Sequence, residues 1–110
     1  RHRGRIAEHL RKLSAADRYL RFGQAVGDAQ IDRYVQGIDF VRDEVFGVFN
    51  RRLELIAMAH LAYEPLQQLA TRPAMVEFGV SVLEAARGRG YGARLFEHAV
   101  MRARNRGTDT

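Results

Sequence analysis

The sequence contains no cysteine. A disulfide framework and a thiolate ligand for a metal or redox centre are therefore excluded, and a cytoplasmic location is the default expectation. The four histidines are scattered without the spacing of metal ligands, so we predict no metal site. Long apolar runs are missing too: none approaches the roughly 20 residues of a membrane-spanning helix, so no membrane partner is expected.

Lysine is nearly absent, because Lys12 is the only one among 18 basic side chains. The formal net charge of +5 thus comes almost wholly from arginine. Such a charge fits a nucleic-acid partner, an acidic ligand or merely a solvated arginine-rich surface. The arginines are spread along the chain and do not cluster with aromatic residues, so we predict that the protein does not bind nucleic acid.

The length and composition of the chain are those of one compact domain. Its 110 residues are 46% hydrophobic and 28% charged. This composition suffices for one hydrophobic core, and the chain is too short for two. No internal repeat, low-complexity tract or linker divides it. We therefore treat residues 1–110 as a single domain.

Helical spacing dominates the first third of the chain. A first helix has one apolar face, formed by Ile6, Leu10 and Leu13. Ser14, followed three residues later by Asp17, predicts a capping box from which the helix restarts through AADRYLRF. Asp28 is the predicted cap of the next helix. The apolar face of that helix is formed by Ile31, Val35 and Ile38.

The pattern then changes to that of β-strands. EVFGVF and LELIAMAHLAY are joined by a short polar turn at residues 50–52, which predicts an antiparallel hairpin. EPLQQLATRP holds both prolines and is typical of a connection. AMVEFGVSVL is a third strand, with Glu77, Gly79 and Ser81 on one face. Its other face is apolar and contains Val76, Phe78, Val80 and Val82.

A glycine-rich loop and a final helix follow the third strand. The helix has an apolar stripe formed by Tyr91, Leu95, Ala99 and Ala103, with Gly107 as a plausible C-cap. The predicted order is therefore helix, helix, strand, strand, strand, helix. We predict an α/β fold with a mixed, mainly antiparallel sheet flanked by helices.

The loop RGRGYG contains three glycines at alternate positions, Gly88, Gly90 and Gly92. Between a strand and a helix start, such a loop presents backbone N–H groups at the positive end of a helix dipole. Arg87 and Arg89 can add charge-assisted hydrogen bonds. This pattern predicts a phosphate or pyrophosphate site.

Two other phosphate-binding motifs fit the loop less well. Gly88, Gly90 and Ala93 match the relaxed dinucleotide pattern G-x-G-x-x-A, and Asp109 lies roughly 20 residues on, where the ribose partner is expected. Only two residues separate Asp109 from the helix, however, and a preceding hairpin argues against a parallel nucleotide-binding sheet. A P-loop is excluded because the sequence has no Gly-Lys-Ser/Thr.

Residues 87–92 resemble the Q/R-x-x-G-x-G/A signature of the GNAT superfamily, the acyl-CoA-dependent N-acetyltransferases. LSAADRYLRF is similar to a segment of bacterial members that resemble protein-lysine acetyltransferases. The resemblance covers most of residues 10–107. It departs at Glu84 and Ala86, where many relatives have proline and an aromatic residue. It also implies a first strand before residue 5 and further elements beyond Thr110, so we expect a truncated GNAT-like domain.

The resemblance implies that acetyl-CoA is the cosubstrate and that an amine accepts the acetyl group. It further implies that backbone groups of Val80, Ser81 and Val82 pair with the pantetheine arm and polarise the thioester carbonyl. The pyrophosphate would be bound by the residues of the loop and helix start: Arg87, Gly88, Arg89, Gly90, Tyr91 and Gly92.

Glu77 is the candidate general base, because it is the only acid on its face of the third strand. The simpler interpretation is a solvated strand glutamate. His60 is expected to be a hydrogen-bonded structural histidine, and Tyr19 and Phe22 are expected in the core. Tyr91 is expected to pack the last helix onto the sheet. The sequence identifies no general acid.

Two functions remain open from the sequence. The first is an N-acetyltransferase that acts on a protein lysine or a small-molecule amine. The second is a non-catalytic acyl-CoA-binding or interaction module. Without the family's next strand, one edge of the third strand would keep unpaired backbone groups, so we also expect a homodimer or other pairing through that edge.

Overall fold

The computed structural model describes residues 2–63 and 75–105. Three helices come first: α1 (Arg3–Arg11), α2 (Ala15–Phe22) and α3 (Asp28–Gln36). Three strands follow: β1 (Glu44–Phe49), β2 (Leu55–Tyr63) and β3 (Met75–Val82). A short 3-10 helix (Glu84–Ala86) and the helix α4 (Tyr91–Asn105) complete the described elements. None of the helices in these ranges is long and apolar enough to cross a membrane.

The strands form one antiparallel sheet in the order β1-β2-β3, which confirms the predicted fold class. Asn50 organises the turn of the predicted hairpin, because its side-chain oxygen accepts hydrogen bonds from the amides of Arg52 and Glu54, each at 2.9 Å. The predicted connection EPLQQLATRP lies outside the described residues. β3 is an edge strand of the described sheet, and its pairing with a second copy stays a prediction.

The N-terminal helices begin partly as predicted. Ser14 caps α2, since its hydroxyl oxygen accepts a hydrogen bond from the Asp17 amide at 3.1 Å. This break separates α1 from α2, so three helices precede the sheet where the predicted order has two. The prediction that Asp28 caps the next helix is wrong. Gly27 is the N-cap of α3, and its amide donates to the Gln30 side chain at 2.7 Å, so the cap is made from inside the helix.

Helices cover both faces of the sheet. On one face, α1 and α3 pack a core against β2 that includes Ile6, Leu10, Ile31, Val35 and Met58. On the other face, α4 packs on the alternate strand residues Ala57, Ala59, Phe78, Val80 and Val82.

The predicted apolar faces of β3 and α4 are confirmed for the side chains that the structure describes. Leu95 and Ala99 are buried, and Tyr91 packs against the sheet as expected. Phe22 packs at the border of the first core. The expectation that Tyr19 is a core residue is wrong, because its side chain is 57% exposed on α2, a helix without a buried residue.

His9 connects α1 to two strands from inside the core. Its Nδ1 lies 2.8 Å from the Leu55 carbonyl oxygen, and its Nε2 lies 2.7 Å from the Ser81 hydroxyl. A carbonyl only accepts, so Nδ1 carries the proton and Nε2 accepts from Ser81. Burial lowers the pKa of His9 from its ordinary value of 6.5, which keeps the ring neutral.

A second buried polar chain joins α3, β2 and the segment before β1. The Tyr34 hydroxyl hydrogen-bonds to His60 Nδ1, and His60 Nε2 donates to Asp43 at 2.9 Å. Asp43 also accepts from the Arg42 Nε at 2.7 Å and from the Tyr63 amide at 3.1 Å. His60 is therefore the hydrogen-bonded structural histidine that the sequence predicts.

The protons of this chain have one consistent arrangement. Burial alone would raise the pKa of Asp43, but the hydrogen bonds from Arg42, His60 and the Tyr63 amide outweigh it and lower the pKa to about 2. Burial raises the pKa of Tyr34 to about 12. Asp43 is thus ionised at neutral pH, and Tyr34 keeps a proton that it donates to His60.

We predict that the protein loses stability on acidification through His9. The pKa of this group is lower in the folded state than in the unfolded chain. Below about pH 6.5 the unfolded chain therefore binds more protons than the folded protein, and the free energy of unfolding falls. Urea unfolding at about pH 7.5 and about pH 5.5 measures the loss. His9→Gln cannot titrate and should remove this part of the pH dependence. Equal pH dependence in parent and variant would contradict the assignment.

We also predict that Tyr34→Phe destabilises the fold by about 1–3 kcal/mol, because it leaves a buried His60 nitrogen without its donor. Denaturant unfolding measures the difference. Tyr19→Phe is the matched control, since it removes the same hydroxyl from an exposed ring and should change stability by less than about 0.5 kcal/mol. Similar losses in the two variants would show that the buried chain contributes nothing.

Candidate functional site

A cavity of about 320 Å³ opens between α2, the end of β3 and the start of α4. Four lining residues come from α2 and the residue that precedes its cap: Leu13, Asp17, Leu20 and Arg21. Three come from the end of β3: Val80, Ser81 and Val82. The others come from the glycine-rich loop and its flanks: Ala86, Arg87, Gly88, Gly90, Tyr91 and Gly92.

This cavity brings together eight of the nine residues that the sequence predicts as cofactor-binding. Arg89 is exposed in the loop and is not among the lining residues. Glu77, the candidate base, is exposed on β3 opposite Ala62 and also lies outside the lining set. The roles of all these residues stay predictions.

The three loop glycines differ in the structural feature that requires or allows glycine. Gly88 and Gly90 have φ angles of +83° and +77°, a left-handed backbone that side chains disfavour, and the space where their Cβ atoms would lie is open. Gly92 is already helical, and a Cβ there would make an ordinary contact with Val82 at 3.8 Å. Backbone conformation therefore accounts for two of the glycines, while the open space beside them leaves the loop accessible.

The loop leads directly into the first turn of α4. The Gly90 carbonyl accepts from the Arg94 amide at 3.1 Å, which makes Gly90 the residue from which the helix starts. The amides of the first turn have no carbonyl partner within the helix and carry the positive end of its dipole. Because Tyr91 and Gly92 line the cavity, this helix end is suited to an anion.

An ion pair fastens the loop to α2. Arg87 lies 2.5 Å from the Asp17 carboxylate, and the two residues are 70 positions apart in the chain. Asp17 is at the same time the residue whose amide is capped by Ser14. The Arg87 charge is therefore partly compensated within the protein, and the pair connects the two walls of the cavity.

The pairing of β3 decides which backbone groups reach its outer edge. The Leu83 amide donates to the Ile56 carbonyl at 2.9 Å, so Leu83 and every second residue before it point their backbone groups at β2. Val80 and Val82 consequently point theirs away from β2. Ser81 differs from these two valines. Its backbone groups face β2, and its hydroxyl is hydrogen-bonded to His9.

Arg21 is the main feature that the sequence analysis missed. Its side chain reaches from α2 to β3 and lies over Gly79, where a Cβ would overlap the guanidinium carbon. Its Nη2 donates to the Tyr34 hydroxyl at 2.7 Å, and its guanidinium carbon lies 4.8 Å from the centre of the Phe22 ring. Arg21 thereby joins the cavity to the buried chain of Tyr34 and His60.

A partial signal for this wall of the cavity is present in the sequence. Asp17, Leu20 and Arg21 have the i, i+3, i+4 spacing that places them on one helix face. Nothing local shows that this face meets the cavity. The contacts of Tyr34 with His60 and of His60 with Asp43 span 26 and 17 positions, and no short motif encodes them.

No cluster of histidine, aspartate or glutamate that could hold a metal ion occurs in residues 2–63 and 75–105. The site therefore consists of a loop and helix end that attract an anion, a strand edge with outward backbone groups, and a cation over Gly79. This arrangement suits a long ligand that is anionic at one end and forms strand-like hydrogen bonds along its length.

Solved structures with a similar fold include a GNAT domain and two proteins described as acetyltransferases. The GNAT domain of S. lividans PAT shares 23% identity at a TM-score of 0.69, and the match covers 97% of this chain and 62% of that one. An aminoglycoside 6′-N-acetyltransferase complexed with coenzyme A shares 15% identity at a TM-score of 0.60, covering 96% and 51%. Ribosomal-protein-alanine N-acetyltransferase from Brucella melitensis biovar Abortus 2308 shares 15% at 0.59, covering 98% and 70%.

The sequence comparison agrees with the structural one. No curated protein matches significantly. The profile of the Acetyltransferase (GNAT) family, however, matches residues 7–110, which is nearly the whole chain. Together with the predicted loop signature and the observed sheet, this match shows that the chain belongs to the GNAT family of acetyltransferases.

Proposed function

We propose that this chain is the core of an N-acetyltransferase that transfers an acetyl group from acetyl-CoA to an amine. One observation carries the proposal: in a chain of the GNAT family, the glycine-rich loop, the start of α4 and the outer edge of β3 meet at a single cavity. The chain spans 62% of the length of the S. lividans PAT domain. The acetyl transfer that a complete enzyme performs is therefore proposed for this chain.

Each part of the cavity suits a different part of a CoA molecule. The left-handed backbone at Gly88 and Gly90 and the first-turn amides of α4 would bind the pyrophosphate. The outward backbone groups of Val80 and Val82 would pair with the amides of the pantetheine arm, as an added strand would. The solved aminoglycoside 6′-N-acetyltransferase, whose fold is similar, is a complex with coenzyme A.

The proposed reaction needs a neutral amine. Its nitrogen attacks the thioester carbonyl carbon, the C–N bond forms, the C–S bond breaks, and the CoA thiolate leaves. The amine gives up one proton and the thiolate gains one. Glu77 is our candidate to take the amine proton, directly or through water, because it lies exposed on the face of β3 that also carries Gly79.

A non-catalytic acyl-CoA-binding module is the second candidate. The observation that favours it is the position of Glu77, which is outside the residues that line the cavity. Such a module would bind CoA through the same loop and strand edge but would not deprotonate an amine. An amine acceptor, either a protein lysine or a small molecule, is required only by the first candidate.

We predict that CoA raises the melting temperature of the protein, because a ligand that binds the folded state stabilises it. Gly90→Asp places a negative side chain beside the pyrophosphate and should weaken CoA binding at least about tenfold, or roughly 1.4 kcal/mol. Titration calorimetry and thermal unfolding with CoA measure the effect.

Gly23→Asp is the matched control for this variant. Gly23 also has a left-handed φ, +74°, and open space around it, so the substitution adds the same strain and charge away from the loop. We expect it to bind CoA as the parent does. Equal CoA binding by the Gly90 and Gly23 variants would refute the phosphate site.

We predict that Glu77→Gln lowers turnover by about tenfold to a hundredfold in an active form of the protein. The loss should be largest at low pH, where more of the amine is protonated and must be deprotonated before attack. CoA affinity should hardly change, because the residue lies outside the cavity. Glu97→Gln, an exposed change on α4, is the control. Identical pH–rate profiles for parent and Glu77→Gln would assign the base to another group, whereas CoA binding without any turnover in the parent would favour the second candidate.

A further inference from the structure

Arg21 is a partly buried cation without a carboxylate partner in the described part of the chain. Its Nη2 donates to a neutral hydroxyl, that of Tyr34. Its Nε is buried and makes no hydrogen bond among the residues described. A charge held in this way costs free energy unless something compensates it.

Three acids lie near Arg21, and none forms an ion pair with it in the described part of the chain: Glu77 is exposed on the same face of β3 as Gly79, and the other two are engaged elsewhere. Asp17, which lines the same cavity, pairs with Arg87 at 2.5 Å. Asp43, at the far end of the buried chain, is held by Arg42 at 2.7 Å and is separated from Arg21 by Tyr34 and His60. Arg21 thus lines the cavity without an ion-pair partner among the described residues.

The position of Arg21 along β3 indicates which part of a ligand it would meet. This step rests on the proposed function. With the pyrophosphate at the loop, the pantetheine arm passes Val82 and then Val80, and the acyl group reaches the strand next at Gly79. The Arg21 guanidinium lies over Gly79, so it faces the end of the ligand where the acyl group and the amine meet.

We propose that Arg21 binds a carboxylate of the substrate. A carboxylate fits the fork of N–H donors and neutralises the charge, whereas the neutral thioester carbonyl would leave the charge uncompensated. The carboxylate can be carried by the acyl chain, as in succinyl-CoA, or by the amine, as in a free amino acid. Tyr34 is a positioning residue in this proposal, because its hydroxyl orients the guanidinium.

The absence of a side chain at Gly79 provides an independent test. A Cβ at this position would overlap the Arg21 guanidinium, which is the far end of a flexible side chain and can move away. Gly79→Ala should therefore displace the cation without altering the charge of the protein. Arg21→Gln removes the charge itself, and Arg33→Gln removes an equal charge from an exposed site on α3.

The experiment measures dissociation constants for two matched pairs of ligands. Succinyl-CoA and butyryl-CoA have acyl chains of equal length and differ in the terminal carboxylate. L-lysine and L-lysinamide, added to the CoA-saturated protein, differ in the carboxylate next to an amine. In the parent, we expect the carboxylate member of one pair to bind on the order of tenfold more tightly, and the pair that discriminates identifies the carrier.

Arg21→Gln and Gly79→Ala should abolish that preference, Tyr34→Phe should weaken it, and Arg33→Gln should leave it intact. The preference is a ratio of two dissociation constants measured on the same variant, so it does not require an unchanged affinity for CoA, and thermal unfolding shows that each variant is folded. A preference that is absent in the parent, or that survives both Arg21→Gln and Gly79→Ala, overturns the proposal while CoA binding upholds the cofactor site. Failure of the parent to bind CoA overturns both.

Discussion

The register in which β3 pairs with β2 is the constraint on which the rest of this structure depends. It places Gly79 opposite His60 and Ser81 opposite Met58, on the face that α1 and α3 cover. A slip of one residue would turn every side chain of β3 to the other face. Ser81 would then leave His9, Gly79 would no longer admit the Arg21 guanidinium, and Val80 and Val82 would lose their outward backbone groups. One ladder of hydrogen bonds thus sets the core, the cavity wall and the strand edge together.

Polar groups in the core reinforce this register. His9 joins α1 to β2 and β3, and the chain from Asp43 through His60 and Tyr34 ends at Arg21 on the cavity wall. His9, His60 and Asp43 each have partners with complementary donors and acceptors, which is the condition under which burial of polar groups is tolerated, whereas the buried Nε of Arg21 has none among the described residues. The helix α2 has no buried residue of its own, so the position of its cavity-facing side depends on such contacts, together with the ion pair between Arg87 and Asp17.

Two predictions from the sequence were wrong because the residue type alone did not fix the contacts that the side chain makes. Asp28 has the side chain of a cap, but Gln30 supplies the reciprocal hydrogen bond to Gly27, and the Asp28 carboxylate pairs with Arg18 at 3.0 Å. Tyr19 has an aromatic ring typical of a core residue, yet α2 has no buried residue and leaves that ring largely in solvent. The similarity to solved acetyltransferases at 23% identity and below likewise extends to the fold and does not identify an acceptor.

The sequence by itself determined the alternation that makes three strands, the apolar stripe of α4, the cap at Ser14 and the loop signature of the family. These are local properties, because a strand, a helix or a glycine turn is fixed by residues a few positions apart. Tertiary structure alone decided which α2 face meets the cavity, which β3 residues turn their backbone outward, and that Arg21 reaches Tyr34 across 13 positions and Gly79 across the fold. Those outcomes depend on packing and strand register between distant segments, and no spacing within the sequence encodes them.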